Sequence, residues 1–190
     1  MPADAVKTRK YRQQLVRLVK SLQQDAMLGV EVGAGVGVTS AMLLDEFPAL
    51  QLYMVDAWTD WPADSDYAKS GDKRATLTAA EHENRMVLAR KAVAHAADRA
   101  ILIRAKSERA AAEFGSIADF VFIDGSHAYA DVKKDMAWYD NLRPGGLFCG
   151  HDYSDRQGWG VKACVDWWFG QRKLELNVDP TTAIWWGFKP

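Results

Sequence analysis

Three sets of residues in this chain have the types and spacing to do chemistry. The first is the run Glu31-Val32-Gly33-Ala34-Gly35-Val36-Gly37. Alternate glycines let the backbone turn tightly and come close to a ligand, and a helix opening behind them points its N-terminus at that ligand. The dinucleotide fingerprint G-x-G-x-x-G asks for a sixth-position glycine where this chain has Val38. Asp56 stands about 20 residues further on, where a carboxylate takes ribose hydroxyls in either class of nucleotide site. The second set is Asp124 and Asp152, two carboxylates that repel unless something lies between them. A hard divalent cation such as Mg2+, sharing oxygen ligands with a substrate hydroxyl, would resolve that repulsion. Alternatively, one of the pair accepts backbone hydrogen bonds or serves as a base. The third set is His127 and His151, whose ordinary pKa suits removal of a hydroxyl proton.

These residues need elements to hold them. Tyr11, Leu15, Leu18 and Leu22 mark one face of an N-terminal helix within residues 1–26. Met27 to Val32, Leu50 to Val55, Ala100 to Ile103, Asp119 to Ile123 and Leu147 to Gly150 read as short apolar strands. Helices fall between them: Thr39 to Phe47, an Ala-rich one to about Ala97 opened by a Thr78/Glu81 capping box, Glu108 to Phe114 with Ser107 as its N-cap, and one carrying Val132, Met136 and Tyr139. Val161, Cys164, Val165 and Trp168 mark a further helix. Leu174 to Val178 and Ile184 to Phe188 alternate about a turn at Asp179-Pro180, which predicts a terminal antiparallel hairpin. Strand–helix alternation of this kind predicts an α/β fold, a Rossmann-like, doubly wound and mostly parallel sheet. Ligands in such sheets bind beyond the carboxyl ends of the strands. Those ends carry Glu31 to Gly37, Asp56, Ser107, Asp124 to His127, and His151-Asp152. Residues 57–76 are polar without a clear period and read as a long loop, of a length that more often serves as a lid than as a plain connection. His82 and His95 fall on the helix after it and are expected in solvent.

Composition narrows the classes. A chain of 190 residues fits one domain over 1–190, with 48% hydrophobic and 26% charged residues arguing against disorder. Basic and acidic residues number 24 and 25, so the whole chain has no pull toward nucleic acid or a membrane surface. Residues 1–24 carry six basic side chains and one acidic one, a basic helix face that reads as solvated. Two cysteines and no stretch near the ~20 apolar residues of a membrane span predict a soluble, cytoplasmic protein. Five of the eight tryptophans lie from Trp159 onward and read as core or subunit-interface packing.

The ordered set from Val30 to Thr39, Asp56, Phe122-Ile123-Asp124-Gly125-Ser126-His127-Ala128-Tyr129, and Arg143-Pro144-Gly145-Gly146 leading into Gly150-His151-Asp152-Tyr153 resembles class I S-adenosylmethionine-dependent methyltransferases. More narrowly it resembles the macrocin-type and cephalosporin-hydroxylase-like branch of small-molecule O-methyltransferases. The resemblance covers roughly residues 28–155. It implies that Gly33, Ala34, Gly35 and Gly37 form the loop under S-adenosylmethionine, with Glu31 near its methionine end. It further implies Asp56 on the ribose, Lys106 and Ser107 beside the adenine, Trp58 covering it, and Asp124 beside the sulfonium and the acceptor. Asp124 and Asp152 would hold the metal; His151 departs from the acid that metal-binding relatives carry there. The expected catalytic residues are Asp124, His127 and His151, acting on a small-molecule acceptor.

Other readings weighed on the sequence are RNA 2′-O-methylation, an NAD-dependent oxidoreductase and a catalytically divergent cofactor-binding protein. Nucleic acid is disfavoured as a partner: Asp124-Gly125-Ser126-His127 is not the Asn/Asp-Pro-Pro-aromatic run of nucleobase enzymes. A homo-oligomer is the expected source of any extra cover over the acceptor.

Overall fold

The computed structural model describes residues 3–25 and 27–190, with side chains described from Lys10 onward. Lys7 and Arg9 of the expected basic face lie outside the described side chains.

Seven strands form one sheet in the order β3-β2-β1-β4-β5-β7-β6. These are β1 (Met27–Val32), β2 (Leu50–Asp56), β3 (Ala100–Arg104), β4 (Ala118–Ile123), β5 (Leu142–Gly150), β6 (Asn177–Asp179) and β7 (Ile184–Phe188). The first five run parallel, and β7 enters antiparallel between β5 and β6. The expected doubly wound sheet with a terminal hairpin is what forms. Phe120, Val121 and Phe122 are wholly buried in succession, as a strand covered on both faces requires.

The helices are α1 (Ala3–Lys20), α2 (Val38–Glu46), α3 (Asp66–Lys69), α4 (Ala79–Ala92), α5 (Ser107–Glu113), α6 (Tyr129–Asp135) and α7 (Val161–Arg172). One apolar layer joins Leu15 and Val19 of α1, Leu43 and Leu44 of α2, and Met86 and Ala89 of α4 to one sheet face. The other face packs against Ala110 of α5, Val132 of α6 and Cys164, Trp168 and Phe169 of α7. Four of the late aromatics, Phe148, Trp168, Phe169 and Trp185, pack together within that layer, with Trp185 edge-on to Phe148 and to Phe169.

Local chemistry sets several element ends. Thr78 and Glu81 form the expected capping box, with the Glu81 amide donating to Thr78 Oγ1 and the Thr78 amide donating to Glu81 Oε2. Ser107 does not cap α5: it is the helix's first residue, and its hydroxyl instead accepts from Trp138 Nε1 at 3.0 Å. The polar segment after β2 is not a bare loop either. Ser65 caps α3, Asp72 caps a 3-10 turn over Lys73–Thr76, and Tyr67, Ser70, Asp72 and Ala75 are buried. Each helical piece is four residues long, too short to leave a period in the sequence.

Candidate active site

The carboxyl end of β1 passes into a glycine turn that only glycine permits. Gly33 has φ +91°, and a Cβ there would lie 2.2 Å from the Asp124 carbonyl oxygen. The backbones at the ends of the paired strands β1 and β4 therefore pass close to each other. Asp56, at the end of β2, fastens the turn: its Oδ2 accepts from the Gly35 amide at 2.9 Å and its Oδ1 from the Trp58 amide at 2.8 Å. Trp58 Nε1 donates to the Gly35 carbonyl at 2.8 Å. Trp58 is therefore buried beneath the turn and does not line the cavity above it.

That cavity is lined by Gly33, Asp56, Lys106, Ser107 and Asp124 among the expected site residues. Glu31, Ala34, Gly35, Gly37 and Trp58 lie outside its lining and shape the turn from below. Glu31 is buried and accepts from Ser40 Oγ. Burial pushes its carboxyl up to about 8, although the Ser40 hydrogen bond pulls the other way. It is thus a neutral support of the turn at neutral pH.

Sequence reasoning missed Trp61, Tyr67, Arg74, His82, Arg85 and Asp135, all of which line the cavity. Trp61, not Trp58, is the aromatic wall; Lys106 Nζ sits 3.3 Å from its ring centroid. His82 is buried rather than solvated, because it shares the inward face of α4 with Met86 and Ala89. His95 is half-exposed as expected, its Nε2 2.9 Å from Asp45. Asp135 of α6 is also buried, and burial raises its carboxyl to about 7.

A cluster of carboxylates and imidazoles stands at the ends of β4 and β5. His151 Nδ1 lies 3.5 Å from Asp124 Oδ1 and 3.3 Å from Asp152 Oδ1, with its ring stacked on Tyr11 of α1. Burial alone would lower its pKa; the two carboxylates outweigh that and hold it up at about 10. One ligand atom from each of Asp124, His151 and Asp152 falls within 4.8 Å of the others. Two hard oxygens and an imidazole nitrogen at that spacing fit a divalent cation with open positions for substrate.

His127 is placed differently. It is only 2% exposed, with Nδ1 2.9 Å from Asp72 Oδ2 and Nε2 2.8 Å from Asp152 Oδ2. Its ring stacks on Trp159 at 3.8 Å and does not line the cavity. Burial lowers its pKa, but the flanking carboxylates prevail and raise it. Both ring nitrogens face acids, so the group is a clasp between the segment after β2 and the end of β5.

The sheet order, the glycine turn and the acidic strand ends define a class I methyltransferase fold. The methyltransferase domain family matches residues 30–153, and the chain belongs to that family. It is accordingly an enzyme of methyl transfer. Similar structures include a Staphylococcus aureus protein of caffeoyl-CoA O-methyltransferase type, at 14% identity and TM-score 0.69 over 94% of this chain and 82% of that one. The O-methyltransferase NovP is 15% identical, with TM-score 0.67 over 97% of this chain and 80% of its own. The N-methyltransferase NodS from Bradyrhizobium japonicum is 14% identical, with TM-score 0.62 over 97% and 96%. At these identities the likeness is one of fold. No curated protein is significantly similar in sequence. Among the described residues, no helix is long and apolar enough to cross a membrane.

Proposed function

We propose that this enzyme transfers a methyl group from S-adenosylmethionine to a hydroxyl oxygen of a small molecule in the cytoplasm. The observation that carries the reading is the pairing of two acids on one cavity. Asp56 and Asp124, at the ends of β2 and β4, both line it, with the Gly33 turn between them. That arrangement supports a nucleoside on the Asp56 side and an acceptor on the Asp124 side. The bound cofactor supplies an electrophilic methyl carbon whose bond to sulfur breaks as the bond to oxygen forms.

The chain's own residues then have three tasks. Gly33 of the turn and the Asp56 carboxylate hold the nucleoside, so that the acceptor oxygen meets the methyl carbon in line. Lys106, Ser107 and Trp61 wall the adenine end, which shields that end from water. Asp124 takes the hydroxyl proton, and His151, protonated between two acids, keeps the local charge balanced. A divalent cation held by Asp124, Asp152 and a deprotonated His151 would take over that charge balance and would lower the pKa of a coordinated acceptor hydroxyl. His127 contributes by fixing Asp152 and not by contact with substrate. The number of polar groups at the Asp124 end favours a hydroxylated acceptor.

Purified protein incubated with S-adenosylmethionine and panels of polyhydroxylated and aromatic alcohols tests this. S-adenosylhomocysteine and a methyl ether should form together in equal amounts. Methylation confined to amines or to RNA would overturn the assignment.

A further inference from the structure

His82 lines the cavity and has no part in the steps above. It is only 7% exposed, and neither ring nitrogen has a hydrogen-bond partner among the described residues. Among the described residues no carboxylate lies within ion-pairing distance of it either, in contrast to His127 and His151. Native proteins rarely leave a buried imidazole unsatisfied, because a lost hydrogen bond in a dry site is costly. What sets His82 apart from other buried groups without a partner, such as Trp185 Nε1, is that it lines the cavity. An imidazole that faces a cavity and stays bare is waiting for a ligand group.

The neighbouring chemistry says which group. Asp56 lines the same cavity as His82. Each of its carboxylate oxygens already accepts one backbone amide, from Gly35 and from Trp58. A carboxylate can only accept, so a hydroxyl bound to Asp56 must donate, which leaves that hydroxyl's own oxygen in need of a donor. A neutral imidazole offers one donor and one acceptor. Burial, the largest influence on His82, lowers its pKa and keeps it neutral. Arg85, one turn along α4, adds a cation at the same wall: a Cβ on Gly35 would lie 2.8 Å from its Nη2.

We infer that His82 is a second ribose contact, which reads the cofactor's vicinal hydroxyls from the α4 side while Asp56 reads them from the sheet side. This rests on the reading that S-adenosylmethionine fills the cavity. Its consequence is a site that discriminates strongly for ribose over deoxyribose, through a helix residue as well as the strand-end acid.

The test is calorimetric titration of S-adenosylhomocysteine and its 2′-deoxy and 3′-deoxy counterparts into wild-type, His82→Ala and His82→Asn enzyme. Far-ultraviolet dichroism and melting temperature check each fold. Loss of one charge-neutral hydrogen bond predicts about tenfold weaker binding of S-adenosylhomocysteine to His82→Ala. Removing one of the two hydroxyls should then cost wild type about tenfold more than it costs His82→Ala, which keeps only the share due to Asp56. His82→Asn, which keeps a donor, should recover part of the discrimination. Equal deoxy penalties in wild type and in both variants would overturn the role of His82, even if all affinities fell together as a structural defect would make them. Wild type that ignores S-adenosylhomocysteine altogether would instead overturn the cofactor reading, and this inference with it.

Discussion

Asp72 and His127 meet at 2.9 Å between carboxylate Oδ2 and imidazole Nδ1, and the contact is buried. One residue belongs to the segment after β2 and the other to the turn after β4. The same imidazole reaches Asp152 on its far side at 2.8 Å. The segment that roofs the cavity with Trp61, Tyr67 and Arg74 is thereby clasped to the end of β5.

Breaking that clasp should loosen the roof before it unfolds the sheet. His127→Ala leaves two facing acids without their partner, a change that costs about 3–5 kcal/mol when such a pair is buried. Hydrogen exchange should accelerate over residues 66–76 while β1 and β4 stay protected. Uniform acceleration, or none, would contradict the clasp.

Trp58 supports the glycine turn through one hydrogen bond and a fully buried ring. Trp58→Phe keeps most of the ring and loses the indole donor, which should cost about 1 kcal/mol of stability. Trp58→Ala should cost about 3–5 kcal/mol. Denaturant unfolding measures both. If Trp58 covered the adenine instead, Trp58→Phe would leave cofactor affinity nearly intact, whereas loss of the turn's anchor should weaken it.

Glu31 links stability to pH. Its folded carboxyl is raised from 4.5 to about 8, so it holds a proton that the unfolded chain has already released. The stability it contributes is complete below the unfolded value and is lost as pH rises through the folded one. Glu31→Gln, which mimics the protonated acid, should therefore gain in melting temperature on wild type between about pH 5 and 8. A constant difference between the two melting curves across that range would contradict the buried neutral carboxyl.

The cation reading has its own check. Chelation by EDTA should reduce methyl transfer, and added Mg2+ should restore it in wild type but not in Asp152→Asn. Isothermal titration of Mg2+ into the two proteins gives a readout independent of turnover. Unchanged activity after chelation, with no heat on Mg2+ addition, would leave His151 as the sole balance for the two acids.

The sheet was legible in the sequence because its strands are short apolar runs, several of them ending in a glycine or an acid, as at Val32-Gly33 and Ile123-Asp124. Sequence could place Asp56, Asp124, His151 and Asp152 at strand ends, since topology alone brings those ends together. It could not separate His127 from His151: both follow a strand, and only burial against Asp72 and Trp159 turns the first into a clasp. Trp58 and Trp61 sit in one polar stretch, and which of them faces inward depends on a left-handed backbone at Trp58 (φ 39°) that no periodicity reveals. Ser107 looked like a cap because serine usually is one; the nearby Trp138 indole claims its hydroxyl. His82 looked solvated because α4 is weakly patterned, with alanine, which suits either face, at several positions.

The most direct test of the central claim is calorimetric titration of S-adenosylhomocysteine and NAD into wild-type and Asp56→Ala enzyme. The expected result is one tight site per chain for S-adenosylhomocysteine, weakened at least tenfold by Asp56→Ala, and no heat with NAD. Binding of NAD with no response to S-adenosylhomocysteine would contradict it.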